Sequence, residues 1–298
     1  MALHPQARKA IEQYAAADSL PVSDPRFDIA AERAADRAAA LAEDRLPLAH
    51  VRDVDAGGVP ARLYLPETYD AVVVHAHGGG FVLNDVEVHD AAVRRFADLA
   101  GVAVLSVDYR RPPEHRFPAA PDDVVAALDW VGTQPELADL PCFAHGDSAG
   151  GNLALVAALR RPGALAGLVL IYPFLDPSAS FDSYRSAADG FDPADAAWYW
   201  DQYASTRADL EHPDLAPLRS TQLHTLPPTL VLTAEHDPLR DEGEHLVHLL
   251  AEAGVEVVGT RYLGQIHGFW RHTGTYDAAE PSMWQVAGWL RMQVRRRP

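Results

Sequence analysis

Cysteine and lysine are almost missing from this chain. Cys142 is the one cysteine in 298 residues, so no internal disulfide can form and the fold has to rest on its core. Lys9 is the one lysine, and arginine carries the remaining side-chain positive charge. That charge is itself scarce: 25 Lys and Arg stand against 42 Asp and Glu, a formal charge of −17. Such a balance repels phosphate backbones and anionic lipid headgroups, so neither nucleic acid nor a membrane is expected as a partner. Long apolar runs are absent too. No stretch approaches the roughly 18 apolar residues of a spanning helix, and residues 1–10 hold no apolar core of signal-peptide length. A cytoplasmic protein is expected. Internal repeats and low-complexity tracts are also missing.

The 14 histidines are the obvious source of metal ligands. His75 and His77 form an H-x-H, but the chain runs straight on into three glycines. His245 and His248 lie three apart on an expected helix and read as a solvated face. No group of three ligands at metal spacing emerges, so neither a metal nor another cofactor is expected. Cys142, at the start of an expected strand, reads as a small core residue.

What the chain does have is 48% hydrophobic residues, enough at this length to bury roughly three quarters of the unfolded surface in one large core with an accessory lobe. From about residue 50 onward, short β-branched runs alternate with amphipathic stretches. That rhythm is the α/β class, a mostly parallel sheet flanked by helices. Strands are expected at 49–55, 61–65, 71–76, 102–107, 141–145, 165–171, 229–233 and 255–262, with helices at 88–99, 119–131, 239–253 and 282–294. Ala56-Gly57-Gly58-Val59 between the first two strands reads as a hairpin turn, making that edge antiparallel. Two segments break the rhythm. Residues 1–46 are alanine-rich and helical, with an apolar stripe too thin to stand alone. Residues 177–216 interrupt the strands with an aromatic cluster around Phe181, Phe191, Trp198, Tyr199 and Tyr203, which suits a lid over the carboxyl ends of strands.

The most informative run is His145-Gly146-Asp147-Ser148-Ala149-Gly150-Gly151-Asn152. Ser148 sits between glycines at G-x-S-x-G spacing, after an apolar strand at 140–144 and before an apolar helix at 153–159, the setting of a nucleophile elbow. A serine hydroxyl needs a base, a group that orients the base, and donors for the oxyanion. Asp237 follows a strand in a turn before a helix, and His267 follows the next strand beside Gly268. Serine, aspartate, histidine is the chain order for a triad on this architecture. Gly78-Gly79-Gly80, after the strand at 71–76, frees backbone N–H groups to approach a substrate oxygen, with the N–H of Ala149 as a further donor.

The runs HGGGF, DYRRPPEHRFPAA, GDSAGGN, DPLRDEG and IHGF together resemble the hormone-sensitive lipase family of α/β-hydrolase carboxylesterases, from about residue 72 to 270. The resemblance implies Ser148 as nucleophile, Asp237 as acid and His267 as base, with Gly79, Gly80 and Ala149 as the oxyanion hole. It also implies an eight-stranded sheet and a helical cap: residues 1–46 as amino-terminal cap helices, 47–176 and 217–298 as the catalytic domain, 177–216 as the cap insertion. Asp147, Glu114 and Glu242 are expected to support by hydrogen bonds. Arg111, Pro112 and His145 depart from the family pattern. The expected partner is a small-molecule ester of short to medium acyl chain, with a possible homodimer through 255–262 and 282–294. Activity should fall as pH drops through the ordinary histidine range, about 6.5, because the base must be neutral. A noncatalytic ligand-binding protein on the same fold is the alternative of another class, and the presence of His267 argues against it. Amide, lactone or carbamate hydrolysis would use the same side chains.

Overall fold

The computed structural model describes residues 2–17 and 20–296. Residues 1, 18, 19, 297 and 298, which fall within the expected first and last segments, lie outside the described residues.

All eight expected strands are present: β1 (His50–Asp55), β2 (Pro60–Leu65), β3 (Val72–Ala76), β4 (Ala103–Val107), β5 (Cys142–Asp147), β6 (Gly167–Ile171), β7 (Thr229–His236) and β8 (Val257–Ile266). They form one sheet in the order β1-β2-β4-β3-β5-β6-β7-β8. β1 pairs antiparallel with β2 through the hairpin and β2 antiparallel with β4, while the other pairs are parallel. β3, β4 and β6 are buried along their whole length. That is why they read as continuous apolar runs, whereas a sheet with one wet face would alternate.

Helices cover both faces. α4 (Ala119–Val131), α5 (Ala149–Arg160) and α8 (Arg240–Glu252) lie on one side, and α3 (Asp90–Ala100) and α9 (Ala279–Arg295) on the other. The period of two along β3 decides which layer each side chain joins: Val72, Val74 and Ala76 enter the first, Val73 the second. Because β4 and β5 flank β3 on opposite sides, the chain leaves β3 and β5 in opposite directions along the sheet. The crevice at the carboxyl ends of those two strands is where ligands bind in open α/β sheets.

The two segments outside the rhythm meet each other. α1 (Pro5–Ala16) and α2 (Ile29–Leu41) come from the amino terminus, and α6 (Ser183–Ser186) and α7 (Pro193–Tyr203) from the insertion between β6 and β7. Asp28 and Asp192 cap α2 and α7 by accepting backbone N–H groups of the first turn. Phe27 packs edge-on against Trp198 with ring centroids 5.8 Å apart, and the Ser23 N–H donates to Asp195 at 3.2 Å. Arg33 of α2 donates to the Val82 carbonyl and the Glu114 carboxylate, each at 2.9 Å, tying this layer to the main body. Among the described residues, no helix is long and apolar enough to cross a membrane. Val258 on the outermost strand and Trp284 on α9 are exposed in the region where a dimer contact is expected.

Candidate active site

The elbow forms because two glycines let three backbone segments crowd together. A Cβ on Gly146 would stand 2.1 Å from the Gly150 carbonyl oxygen, and one on Gly150 would stand 2.0 Å from that of Ala76. Neither position admits a side chain. Ser148, between them, takes φ 55° and ψ −120°, a conformation that costs a non-glycine residue about 1–3 kcal/mol. Its N–H donates to Ile171 at 2.8 Å and its carbonyl accepts from Phe174 at 3.1 Å, so neighbouring backbone holds the strain in place.

From this turn the Ser148 hydroxyl lies 2.9 Å from His267 Nε2, and His267 Nδ1 lies 2.7 Å from Asp237 Oδ2. Asp237 is fully buried, and its other oxygen accepts the Leu239 N–H at 2.9 Å. That second bond keeps the carboxylate in one orientation. The imidazole is therefore held with Nδ1–H toward the acid and a lone pair toward the hydroxyl, the tautomer a general base needs. Strands β7 and β8 deliver Asp237 and His267 from their carboxyl ends, and Gly268, at φ 83°, turns the chain immediately after the histidine.

The glycine run lies after β3, beside the elbow. The Gly78 N–H donates to Asp147 Oδ1 at 3.0 Å, which ties the run to the residue before Ser148. Gly79 and Gly80 have φ 114° and 59°, and a Cβ on Gly80 would sit 2.1 Å from a ring carbon of Tyr199. The N–H groups of Gly79, Gly80 and Ala149 donate to no protein acceptor among the described residues. Every expected site residue thus falls at one end of the sheet. Ser148, Gly79, Gly80 and His267 line a cleft of about 230 Å³ together with Tyr14, Phe191 and Tyr199. Phe191 lies 5.0 Å from the His267 ring by centroid.

The supporting acids do what was expected of them. Glu114 receives Arg33, and buried Glu242 accepts the Leu175 N–H at 2.6 Å and faces the Tyr184 hydroxyl at 3.1 Å. Burial pushes the Glu242 carboxyl well above its ordinary value despite those contacts. Asp147 behaves oppositely. Burial raises it, but the His89 imidazole and its neighbours outweigh that and hold it well below the usual carboxylate range.

The sequence shows no group of three ligands at metal spacing, and the fold brings His89 and Asp147 to His75, with one donor atom from each residue within 4.8 Å of the others. His89 comes from the turn before α3 and Asp147 from the end of β5, so no sequence spacing links them. Burial drives His75 well below the ordinary histidine value, His77 to about 3 and His145 to about 4, so these rings are neutral. His245 and His248 are exposed on α8, as read from their spacing, and Cys142 is half-buried. Sequence reasoning also left Tyr172 unnamed. It has φ 35° after β6 and its ring centroid lies 4.6 Å from that of His267.

The chain is similar to known proteins over most of its length. A model of the alpha/beta hydrolase fold family matches residues 73–271. The chain is 39% identical to the carboxylic ester hydrolase LipN of Mycobacterium tuberculosis, over 85% of this chain and 72% of that protein. It is 33% identical to an ethyl acetate hydrolase of Pseudomonas putida, over 80% of each. Among solved structures, a hyperthermophilic esterase from the archaeon Pyrobaculum calidifontis matches with TM-score 0.87 and 36% identity, over 97% of both chains.

Proposed function

This chain belongs to the alpha/beta hydrolase fold family and is a carboxylic ester hydrolase, and from that premise we propose that Ser148, His267 and Asp237 carry the reaction on small esters of short to medium acyl chain. Ser148 Oγ attacks the ester carbonyl while His267 Nε2 takes its proton. The tetrahedral oxyanion is received by the N–H groups of Gly79, Gly80 and Ala149. His267 then returns the proton to the leaving alcohol, which departs and leaves an acyl-serine. Water, deprotonated by the same imidazole, attacks the acyl-serine, and collapse of the second intermediate frees the acid and restores Ser148. Asp237 keeps the imidazole in its working tautomer and stabilises the imidazolium that forms.

The observation that carries this reading is the single hydrogen-bonded line from Ser148 through His267 to Asp237, opening on one cleft. The chain-length reading rests on the size of that cleft, about 230 Å³, and on the aromatic wall that Tyr14 of α1 forms with Phe191 and Tyr199 of the 177–216 insertion. Hydrolysis of p-nitrophenyl esters from acetate to palmitate tests both parts. Turnover should peak among the short and medium chains and vanish in Ser148→Ala. A Ser148→Ala chain as active as the parent, or a rate rising steadily to palmitate, would refute it.

A further inference from the structure

Behind the glycine run, on the face of the sheet covered by α3 and α9, lies a buried set of polar side chains that take no part in the bond-making steps of hydrolysis. His75 on β3 and His145 on β5 are register partners, and their Nδ1 atoms stand 2.8 Å apart. Each neutral imidazole has one N–H, so one ring donates and the other accepts. The acceptor then carries its hydrogen on Nε2. Among the described residues neither Nε2 atom has a partner and both are buried, so either arrangement leaves one N–H without an acceptor. His89 Nε2 stands 3.3 and 3.4 Å from the two oxygens of Asp147, long for a donor to a carboxylate, where about 2.7–2.9 Å is usual. Its Nδ1 is also buried, with no partner among the described residues. All three histidines are fully buried and Asp147 nearly so. The cluster thus gathers several ring nitrogens and a carboxylate in one buried spot, where a polar atom left without a partner costs about 1–3 kcal/mol.

We propose that His75, His89 and Asp147 bind one divalent transition-metal ion of the zinc class. Two imidazole nitrogens and one carboxylate oxygen suit a borderline ion and are a poor set for calcium or magnesium, which take oxygen ligands. The donors stand within 4.8 Å of one another. Zinc bonds nitrogen and oxygen at about 2.0–2.2 Å, which spaces its ligand atoms about 3.4 Å apart; His89 and Asp147 already stand at that spacing, and His75 is the ligand that has to move in. A metal-bound histidine is normally oriented by a hydrogen bond from its other nitrogen. His145 supplies that partner to His75 when the ion takes Nε2. Asp147 also lines the substrate cleft, which gives the ion an entry path and a place for a water as fourth ligand. The ion would act on structure. It would hold Asp147, whose Oδ1 fixes the Gly78 N–H, and so steady the glycine run from behind.

The test uses the full chain without an affinity tag, stripped with a chelator, equilibrated with zinc or cobalt(II), desalted and assayed for metal by mass spectrometry. Expected is about one ion per chain, a raised thermal midpoint, and loss of the ion in His75→Phe and in His89→Gln. His248→Ala, which removes one of the exposed pair on α8, should keep it. No retained ion in the parent, or equal retention in His75→Phe and His89→Gln, overturns the proposal, as does loss confined to His248→Ala. Should both buried variants fail to fold, zinc-edge X-ray absorption of the parent decides. Two imidazoles per ion support the site, and a shell of water oxygens refutes it.

Discussion

His267 uses both ring nitrogens, one toward Ser148 at 2.9 Å and one toward Asp237 at 2.7 Å, whereas His75, His89 and His145 each leave one nitrogen without a partner among the described residues. The first stands on a loop with its side chain 18% exposed, and the others are sealed in the core at 0%. The contrast separates two uses of one side chain. A general base has to meet a substrate and be locked in one tautomer, so it needs partial exposure and a complete set of contacts. A ligand set has to offer lone pairs, so it needs burial and contacts left open.

Breaking the relay should have the largest effect and leave the buried set untouched. Asp237→Asn keeps the shape but favours the wrong tautomer, and by analogy with the handling of the same change in serine proteases kcat should fall by about 10⁴-fold. The stopped assay with p-nitrophenyl butyrate measures it. Metal content after zinc loading should not change, and a fall in both would dissolve the comparison.

Next in size is Gly80→Ala. Its Cβ would collide with the Tyr199 ring, and φ 59° disfavours any side chain. Displacing one oxyanion donor costs about 2.7–4 kcal/mol, or about 10²–10³-fold in kcat. Steady-state kinetics should place the loss in kcat, with KM changed far less.

On the buried side, His145→Leu removes the partner of His75 Nδ1 and leaves that nitrogen stranded. The expected penalty is about 1–3 kcal/mol of stability, seen as a lower thermal midpoint, with kcat changed far less than by either substitution above. A drop in kcat as large as that of Asp237→Asn would mean that the two sets act as one.

The smallest effect is expected at Glu242, whose carboxyl is held well above its ordinary value chiefly by burial. Its folded pKa lies above its unfolded value, so the folded chain binds a proton that the unfolded chain releases. That contribution is complete below the ordinary glutamate value and is lost as pH rises through the folded one. Glu242→Gln does not ionise and can still accept the Leu175 N–H. Its thermal midpoint should therefore gain on the parent as pH rises from about 5 to about 9, and a gap that narrows instead would contradict the assignment.

Much of this molecule was legible in the residues because its signals are local. Each of β3, β5, β7 and β8 ends in a short motif, and the motif carries the chemistry: glycines, Ser148, Asp237 and His267. The apolar runs of β3, β4 and β6 announce strands covered on both faces. What stayed hidden depends on register. His75 and His145 meet because β5 lies beside β3, and nothing in either segment states that neighbourhood. The departure of His145 from the family pattern was the one signal available, and it pointed to the elbow's support without naming a partner. Tyr199 over Gly80 and Phe191 over His267 were likewise visible only as members of an aromatic cluster, since docking of the insertion decides which ring reaches the site.

The relay is tested most directly by covalent trapping. Incubation with a p-nitrophenyl alkylphosphonate, followed by peptide mass spectrometry, should find one adduct per chain on Ser148, formed in step with the loss of esterase activity and nearly abolished in His267→Ala. Activity that disappears while Ser148 stays unmodified, or an adduct on Ser148 that leaves hydrolysis intact, would contradict the account.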